Sequence, residues 1–376
     1  MTKDLIKEEK KVEYLELIYD LIFVYIIGRN NSLLHHMSGG EIQPGMFLAY
    51  VLCTLAVIQI WNYSTYYINL YGRNGLREHI FLFSNMFLLY FVAEGTRAQW
   101  ESYHTQYHVA WAAILLNVAL QYLIELRSRS KDPEHRALIR HISATLLIQA
   151  LLVLGTIPVY RLTGTDVSGI PILFGMVASS VKSGGGAAKA VDFAHLSERA
   201  MLYVVFTFGE MVIAVSEYFT GRLTPARVYF SLMSFLIVVG LFLSYGTVYD
   251  KIIDREQSSS GLGYMLIHLF IIFGLNNITN SLEFMQDSEV KLLPKMVLLI
   301  TSFLIFYVSL FLTTGYARKS CKPKAGFYLT MGAFAAAFVG LMAAFRENMY
   351  VNIAVTVICV FAVYSVIYRI GRANSK

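Results

Sequence analysis

Acidic side chains stand inside two of the most apolar stretches of this 376-residue chain. The first, VEYLELIYDLIFVYIIG, carries Glu13, Glu16 and Asp20 at spacings of three and four. The second, HLSERAMLYVVFTFGEMVIAVSEYF, carries His195, Glu198 and Arg199 at its entrance and Glu210 further in. Arg199, Glu210 and Glu217 fall on one side of a helix at ~100° per residue. If that helix enters a bilayer near Arg199, Glu210 lies roughly 15 Å deep, near the middle, with Asp20 about as deep in its own helix. An ionisable group at that depth faces protein or water rather than lipid. Asp20 and Glu210 are therefore expected to line a hydrated cavity, where a carboxylate can take up a proton or a cation.

Further polar groups follow the same helices: Asn85, Glu94, Asn276, Asn277, Asn280 and Glu283. For amides such as Asn62, Asn117 and Gln149, the simpler role is glue between helices, worth ~0.6 kcal/mol per hydrogen bond in a membrane. An unpaired acid at mid-depth costs about 2.5–3.5 kcal/mol, which favours a functional role for the carboxylates. The candidate ion- or substrate-binding set is Asp20, Glu210, Glu16, Glu94, Glu283, Asn277, His195, Glu198 and Arg199. No catalytic set is expected, because no Ser-His-Asp or Cys-His arrangement can be assembled. His104 and His108 have the spacing of half a metal site. No third ligand is placed by sequence, so they read as a solvated helix end and no metal site is expected. The glycines at 184–186 lack the spacing and the Lys-Ser/Thr of a phosphate loop and read as a flexible break. No cofactor is implied.

The elements that carry these residues must be membrane helices. Apolar residues make up 56% of the chain and charged residues only 15%, against nearer a quarter charged in soluble domains. Twelve candidate spans follow, at residues 12–34, 44–71, 78–95, 104–126, 137–160, 167–190, 199–219, 226–249, 261–284, 290–314, 326–345 and 349–370. Prolines fall at their boundaries or between them, with Pro133 and Pro323 in loops and Pro158 near an end. The sixth span is weak, because its apolar run is short and is followed by Lys182, the glycines and Lys189. Twelve crossings with both termini cytoplasmic put most of the 31 Lys and Arg residues on the inside, as the positive-inside rule requires. The net charge of +6 therefore belongs to loops and is no nucleic-acid signal. Cys53, Cys321 and Cys359 lie in or beside apolar spans and imply no disulfide framework. The first span holds three acids and lacks a cleavage site, so it is expected to remain as helix one rather than act as a signal peptide. Tyr63, Tyr66 and Tyr67 fit an interfacial aromatic belt.

A repeat is also legible. His79 and Glu94 bracket the third span as His268 and Glu283 bracket the ninth, at an offset of 189, beside 190 for Asp20 and Glu210. Six spans per half make the repeats parallel, related by an axis along the membrane normal. The expected fold is an all-α polytopic integral membrane protein of about twelve transmembrane helices. Residues 1–186 form one six-helix repeat and 187–376 the other, within one membrane domain.

VEYLELIYDLIFVYII, HLSERAMLYVVFTFGEMVIAV and HLFIIFGLNNITNSLEF together resemble the bacterial low temperature requirement protein A (LtrA) family. The matching residues are Glu16, Asp20, His195, Glu198, Arg199, Gly209 and Glu210; Tyr19 and Met211 depart from the usual pattern. The resemblance implies a bacterial inner-membrane protein linked to growth in the cold, without supplying a molecular activity. The residues themselves point to a proton- or cation-coupled secondary transporter, partnered by the lipid bilayer and a small solute or ion. The alternatives are a cation channel of two six-helix units, a lipid-acting enzyme, or a membrane protein that transports nothing.

Overall fold

The computed structural model describes residues 10–35, 37–95, 100–128, 133–181, 191–220, 222–285 and 290–373. Lys182, Lys189, the glycines at 184–186 and His36 lie outside them. On α1 (Tyr14–Asn30), Tyr14, Ile18, Leu21 and Tyr25 are exposed at steps of four, three and four, while Glu16, Tyr19, Asp20 and Phe23 are buried. That is the inverse of a water-soluble amphipathic helix. Its apolar stripe faces out and its charges face in, as a hydrocarbon solvent demands.

Among the described residues, eleven further α-helices follow. They are α2 (Pro44–Tyr71), α3 (Leu76–Glu94), α4 (Trp100–Ser128), α5 (Pro133–Thr163), α6 (Gly169–Val181) and α7 (Phe193–Ser216), then α8 (Pro225–Thr247), α9 (Leu262–Phe284), α10 (Leu292–Leu312), α11 (Ala325–Ala344) and α12 (Met349–Ala373). A two-residue antiparallel pair, Met37–Ser38 with Glu41–Ile42, lies between α1 and α2. Prolines open α2, α5 and α8, where the missing N–H would be unpaired in any case, and Thr224 caps α8 by accepting from the Arg227 N–H at 3.3 Å. Pro133 thus begins α5 instead of lying in a loop, and Pro158 lies inside that helix. Ten of the described helices are long and apolar enough to cross a membrane. The other two are α1, 17 residues long with two buried acids, and α6, with 13. The chain is a polytopic α-helical membrane protein.

Two compact units are distinguished. Unit one comprises Met1–Ile26, Leu55–Leu202 and Arg255–Met265; unit two comprises Ile27–Thr54, Tyr203–Asp254 and Leu266–Lys376. These are not the two halves of the sequence, since α1, α2, α7 and α9 each contribute to both.

In unit one, α4 packs along α5 and α3, and α6 along α5. Gln149 of α5 accepts from the Tyr63 hydroxyl at 2.8 Å and donates to Gln59 Oε1 at 2.6 Å. Both bonds run to α2 beneath Gly175 of α6, where a Cβ would meet these polar atoms at 2.5–2.7 Å. Tyr63, Tyr66 and Tyr67 are buried, not interfacial. Tyr67 instead packs edge-on against Tyr122 of α4, with ring centroids 5.1 Å apart.

In unit two, α8 packs along α12. A Cβ at Gly240 would stand 2.2 Å from Val360 Cγ1, and one at Gly274 of α9 would stand 3.0 Å from the Phe306 backbone nitrogen of α10. Small residues at such crossings let membrane helices approach closely. Gly240→Ala should lower stability by about 1–3 kcal/mol through overpacking. Val360→Ala in the same background should recover most of that loss, as read by thermal unfolding in detergent.

Candidate functional site

Two acids one turn apart on α1, Glu16 and Asp20, face two nitrogen bases one turn apart on α7, His195 and Arg199. Both pairs lie in unit one and run at one sequence offset, 179. Asp20 and Arg199 each stand six residues into their helices, roughly 9 Å from the start. Arg199 Nε donates to Asp20 Oδ2 at 3.2 Å, and Arg199 Nη2 donates to Asp20 Oδ1. This is the two-pronged geometry that suits guanidinium to carboxylate. Trp61 Nε1 of α2 donates to Asp20 Oδ1 at 2.7 Å. Glu16 Oε2 lies 3.3 Å from His195 Nε2 and 3.4 Å from Arg199 Nε. Asp20 and Arg199 are both 0% exposed, so neither charge is solvated except by this cluster.

Local structure explains why the bases point there. Asp192 caps α7 by accepting from the His195 N–H at 3.1 Å, the bond an N-cap residue makes three positions on. Asn69 of α2 holds that cap from both sides, donating to the Asp192 carbonyl at 2.8 Å and accepting from its N–H at 3.1 Å. The Asn69 amide also lies 3.1 Å from His195 Nδ1. With Nδ1 accepting from Asn69, the ring proton is assigned to Nε2, facing Glu16.

The charges do not cancel by themselves. Glu16 and Asp20 carry two negative charges against one on Arg199, so with His195 neutral the four side chains reach neutrality only when one further proton is bound, on Glu16 or on the His195 ring. Lys10 lies nearby, its ammonium donating to the Ile68 carbonyl and to the Gly72 carbonyl, the latter at 3.1 Å. It thus sits on the carboxyl end of α2, where a cation is favoured. Burial holds its pKa below the usual lysine value, against the opposing pull of Glu16. Glu16 also lines a cleft of about 360 Å³ with Lys10, Arg73, Asn74, Glu78 and His79. Arg199 Nη1 is buried without a hydrogen-bond partner among the described residues.

Beside Asp20, the Tyr19 hydroxyl donates to Ser64 Oγ at 2.8 Å and accepts from Asn85 Nδ2 at 3.3 Å. Asn117 Nδ2 in turn donates to Asn85 Oδ1 at 2.6 Å. One tyrosine thus ties α1 to α2, α3 and α4. Sequence reasoning passed over Trp61, Ser64 and Asn69. The one available signal was their spacing on α2, which puts a polar residue on one face at 61, 64 or 65, and 69. Glu198 and Glu94 are half-buried and do not belong to the cluster.

The remaining candidates lie in unit two. Asn31 Oδ1 accepts from Asn276 Nδ2 at 2.9 Å and Asn280 Nδ2 at 3.0 Å, and the Tyr50 hydroxyl accepts from the same two amides at 2.8 and 3.3 Å. Asn277 instead donates to the Phe273 carbonyl of its own helix at 2.7 Å. The reaching amides of α9 are therefore its neighbours, one turn apart. Glu283 Oε2 lies 3.4 Å from His35 Nε2. Glu210 is half-buried and stands against Gly28 of α1, where a Cβ would be 3.3 Å from Glu210 Oε2. Because α7 begins at Phe193, Glu210 is roughly 25 Å along it. Its distance from the helix start does not match that of Asp20, and the residue on α7 that matches and pairs with Asp20 is Arg199.

The family model for the bacterial low temperature requirement A protein (LtrA) matches residues 11–363, and the chain belongs to that family. No curated protein and no solved structure matches it significantly.

Removing one partner of a buried ion pair strands the other charge. Arg199→Gln is expected to cost about 3–5 kcal/mol, whereas the Asp20→Asn/Arg199→Gln pair should cost clearly less than the sum of its single changes. A double-mutant cycle by thermal or denaturant unfolding in detergent checks this.

Proposed function

We propose that this LtrA-family membrane protein is a proton- or cation-coupled secondary transporter of a small solute. In this reading it crosses the bacterial plasma membrane twelve times with both termini cytoplasmic, as the distribution of Lys and Arg favours. The two six-helix halves are parallel repeats, and the family description suggests a need for the protein at low temperature.

The observation that carries this reading is the Glu16–His195 contact at 3.3 Å, at the edge of a polar cleft and within a cluster one charge short of neutrality. A dry cluster of that kind favours binding one proton or cation, because an uncompensated charge in the membrane is costly. Asp20 and Arg199 act as fixed opposite charges. Glu16 and His195 exchange the proton with the cleft, and Glu210 is the second exchanging carboxylate. If one arrangement of the helices binds that proton more tightly than another, its arrival shifts the balance between them by the difference in affinity. That difference is the coupling a secondary transporter requires.

A membrane protein that transports nothing is the second reading, favoured by the bidentate pairing of Asp20 with Arg199, which by itself is a strut between α1 and α7. Inside-out membrane vesicles, energised to hold a pH gradient reported by a quenched dye, separate the two. Addition of inorganic cations, polyamines, amino acids or organic acids is expected to dissipate the gradient for one class. That response should be lost in Glu16→Gln and in the Asp20→Asn/Glu210→Gln pair. No response to any class, or an undiminished one in these variants, contradicts the proposal. Fast dissipation that follows a cation's own gradient without proton movement identifies a channel.

A further inference from the structure

At the start of α4, His104 and His108 are 1% and 0% exposed and so are not the solvated helix end that their spacing suggested. The turn between α5 and α6 brings Asp166 to them. One ligand atom from each of the three residues lies within 4.8 Å of the others. We propose that His104, His108 and Asp166 bind one divalent transition-metal ion of the zinc class, joining α4 to the α5–α6 turn.

Each side chain is prepared for that task. His108 Nδ1 donates to the His104 carbonyl at 2.7 Å, which leaves Nε2 as the lone-pair nitrogen; a second-shell bond of this kind orients histidine ligands. His104 is stacked between Tyr160 and His108, with ring centroids 3.9 and 4.0 Å apart. Its Nε2 is 3.8 Å from Asp166 Oδ1, and neither of its ring nitrogens has a hydrogen-bond partner among the described residues. Asp166 Oδ2 is likewise buried and unpartnered.

A polar cluster present only for packing would satisfy its buried atoms. This one leaves three unsatisfied, all on would-be ligands. Ser168 Oγ lies 2.6 Å from His108 Nε2 and 2.5 Å from Asp166 Oδ1. Its single proton cannot serve both links, so a further positive charge belongs between the imidazole and the carboxylate. With a metal ion in that role, the hydroxyl turns to the carboxylate as an outer-shell donor. Two imidazoles and a carboxylate form a usual zinc donor set that leaves the fourth position open. Bonds of about 2.0–2.1 Å bring the ligand atoms to roughly 3.3 Å from one another. The adjustment falls to His104, which has no hydrogen bond to break.

The test is a cobalt(II) titration of the full chain in detergent, carrying no histidine tag, followed by competition with zinc. We expect one saturable site with the visible absorption of a tetrahedral cobalt centre, and a metal-dependent rise in unfolding temperature that a chelator reverses. His108→Ala and Asp166→Asn should each weaken binding about tenfold or more, while His141→Ala, a half-buried control whose ring is bonded to the Ala178 carbonyl, should bind as the wild type does. Where those two variants do not fold, His104→Gln removes a ring without hydrogen bonds, at the cost of its stacking on Tyr160 and His108, and should lose the site and the metal-dependent rise in unfolding temperature. Absence of saturable binding to the wild-type chain, or wild-type affinity in His104→Gln, overturns the proposal.

Discussion

A guanidinium with no water beside it survives in a membrane protein only if carboxylates replace its hydration. In this chain that constraint falls on Arg199, which is wholly buried and always charged. Its two donors to Asp20 set the register of α1 against the first turns of α7. The same register brings Glu16 to His195, so one ion pair determines where the titratable pair stands. The cap at Asp192, the Asn69 clamp and the Trp61 donor keep these groups from rotating out of line. Breaking such a pair costs far more than it contributes when whole, so its clearest role is to fix a single arrangement. The transport reading builds on that fixed frame.

The second unit solves the polar problem differently. Asn31 and Tyr50 meet Asn276 and Asn280 through neutral hydrogen bonds, which cost less to bury than charges. Half-buried carboxylates remain there at Glu210 and Glu283. Among the described residues, Glu283 faces His35 and no hydrogen bond or ion pair is made to Glu210. The amides of this unit thus join helices, and Glu210 is the carboxylate left to the proposed ion exchange.

Much of the architecture was legible because a bilayer leaves few options. The apolar runs and their proline boundaries locate the helices, and the weak sixth span matches the short α6. Family membership was legible from the acid-bearing motifs. Pairing was not. A repeat offset of 190 set Asp20 and Glu210 as equivalent positions and named no partner for either, whereas the contacts of α1 run at 179, to Arg199, because α7 starts two residues before His195 and its first turns meet α1. The tyrosines of α2 looked interfacial because composition cannot distinguish a belt from a buried aromatic cluster; burial against Tyr122 decides it. Asn277 and Asn276 are indistinguishable by type, and only the helix face separates the one that bonds its own backbone from the one that reaches Tyr50. Asp166, 58 residues beyond His108, could be joined to the histidines only by the α5–α6 turn.

The central claim is that Asp20 is an anion held by Arg199 in a dry interior. Infrared difference spectroscopy at neutral pH, subtracting Asp20→Asn from wild type, reads this directly. The account predicts that the substitution removes an ionised-carboxylate band, and that a protonated-carboxyl band assignable to Asp20 appears only in Arg199→Gln. A protonated Asp20 in the wild-type protein, or an Asp20 signal unaltered by loss of Arg199, would contradict it.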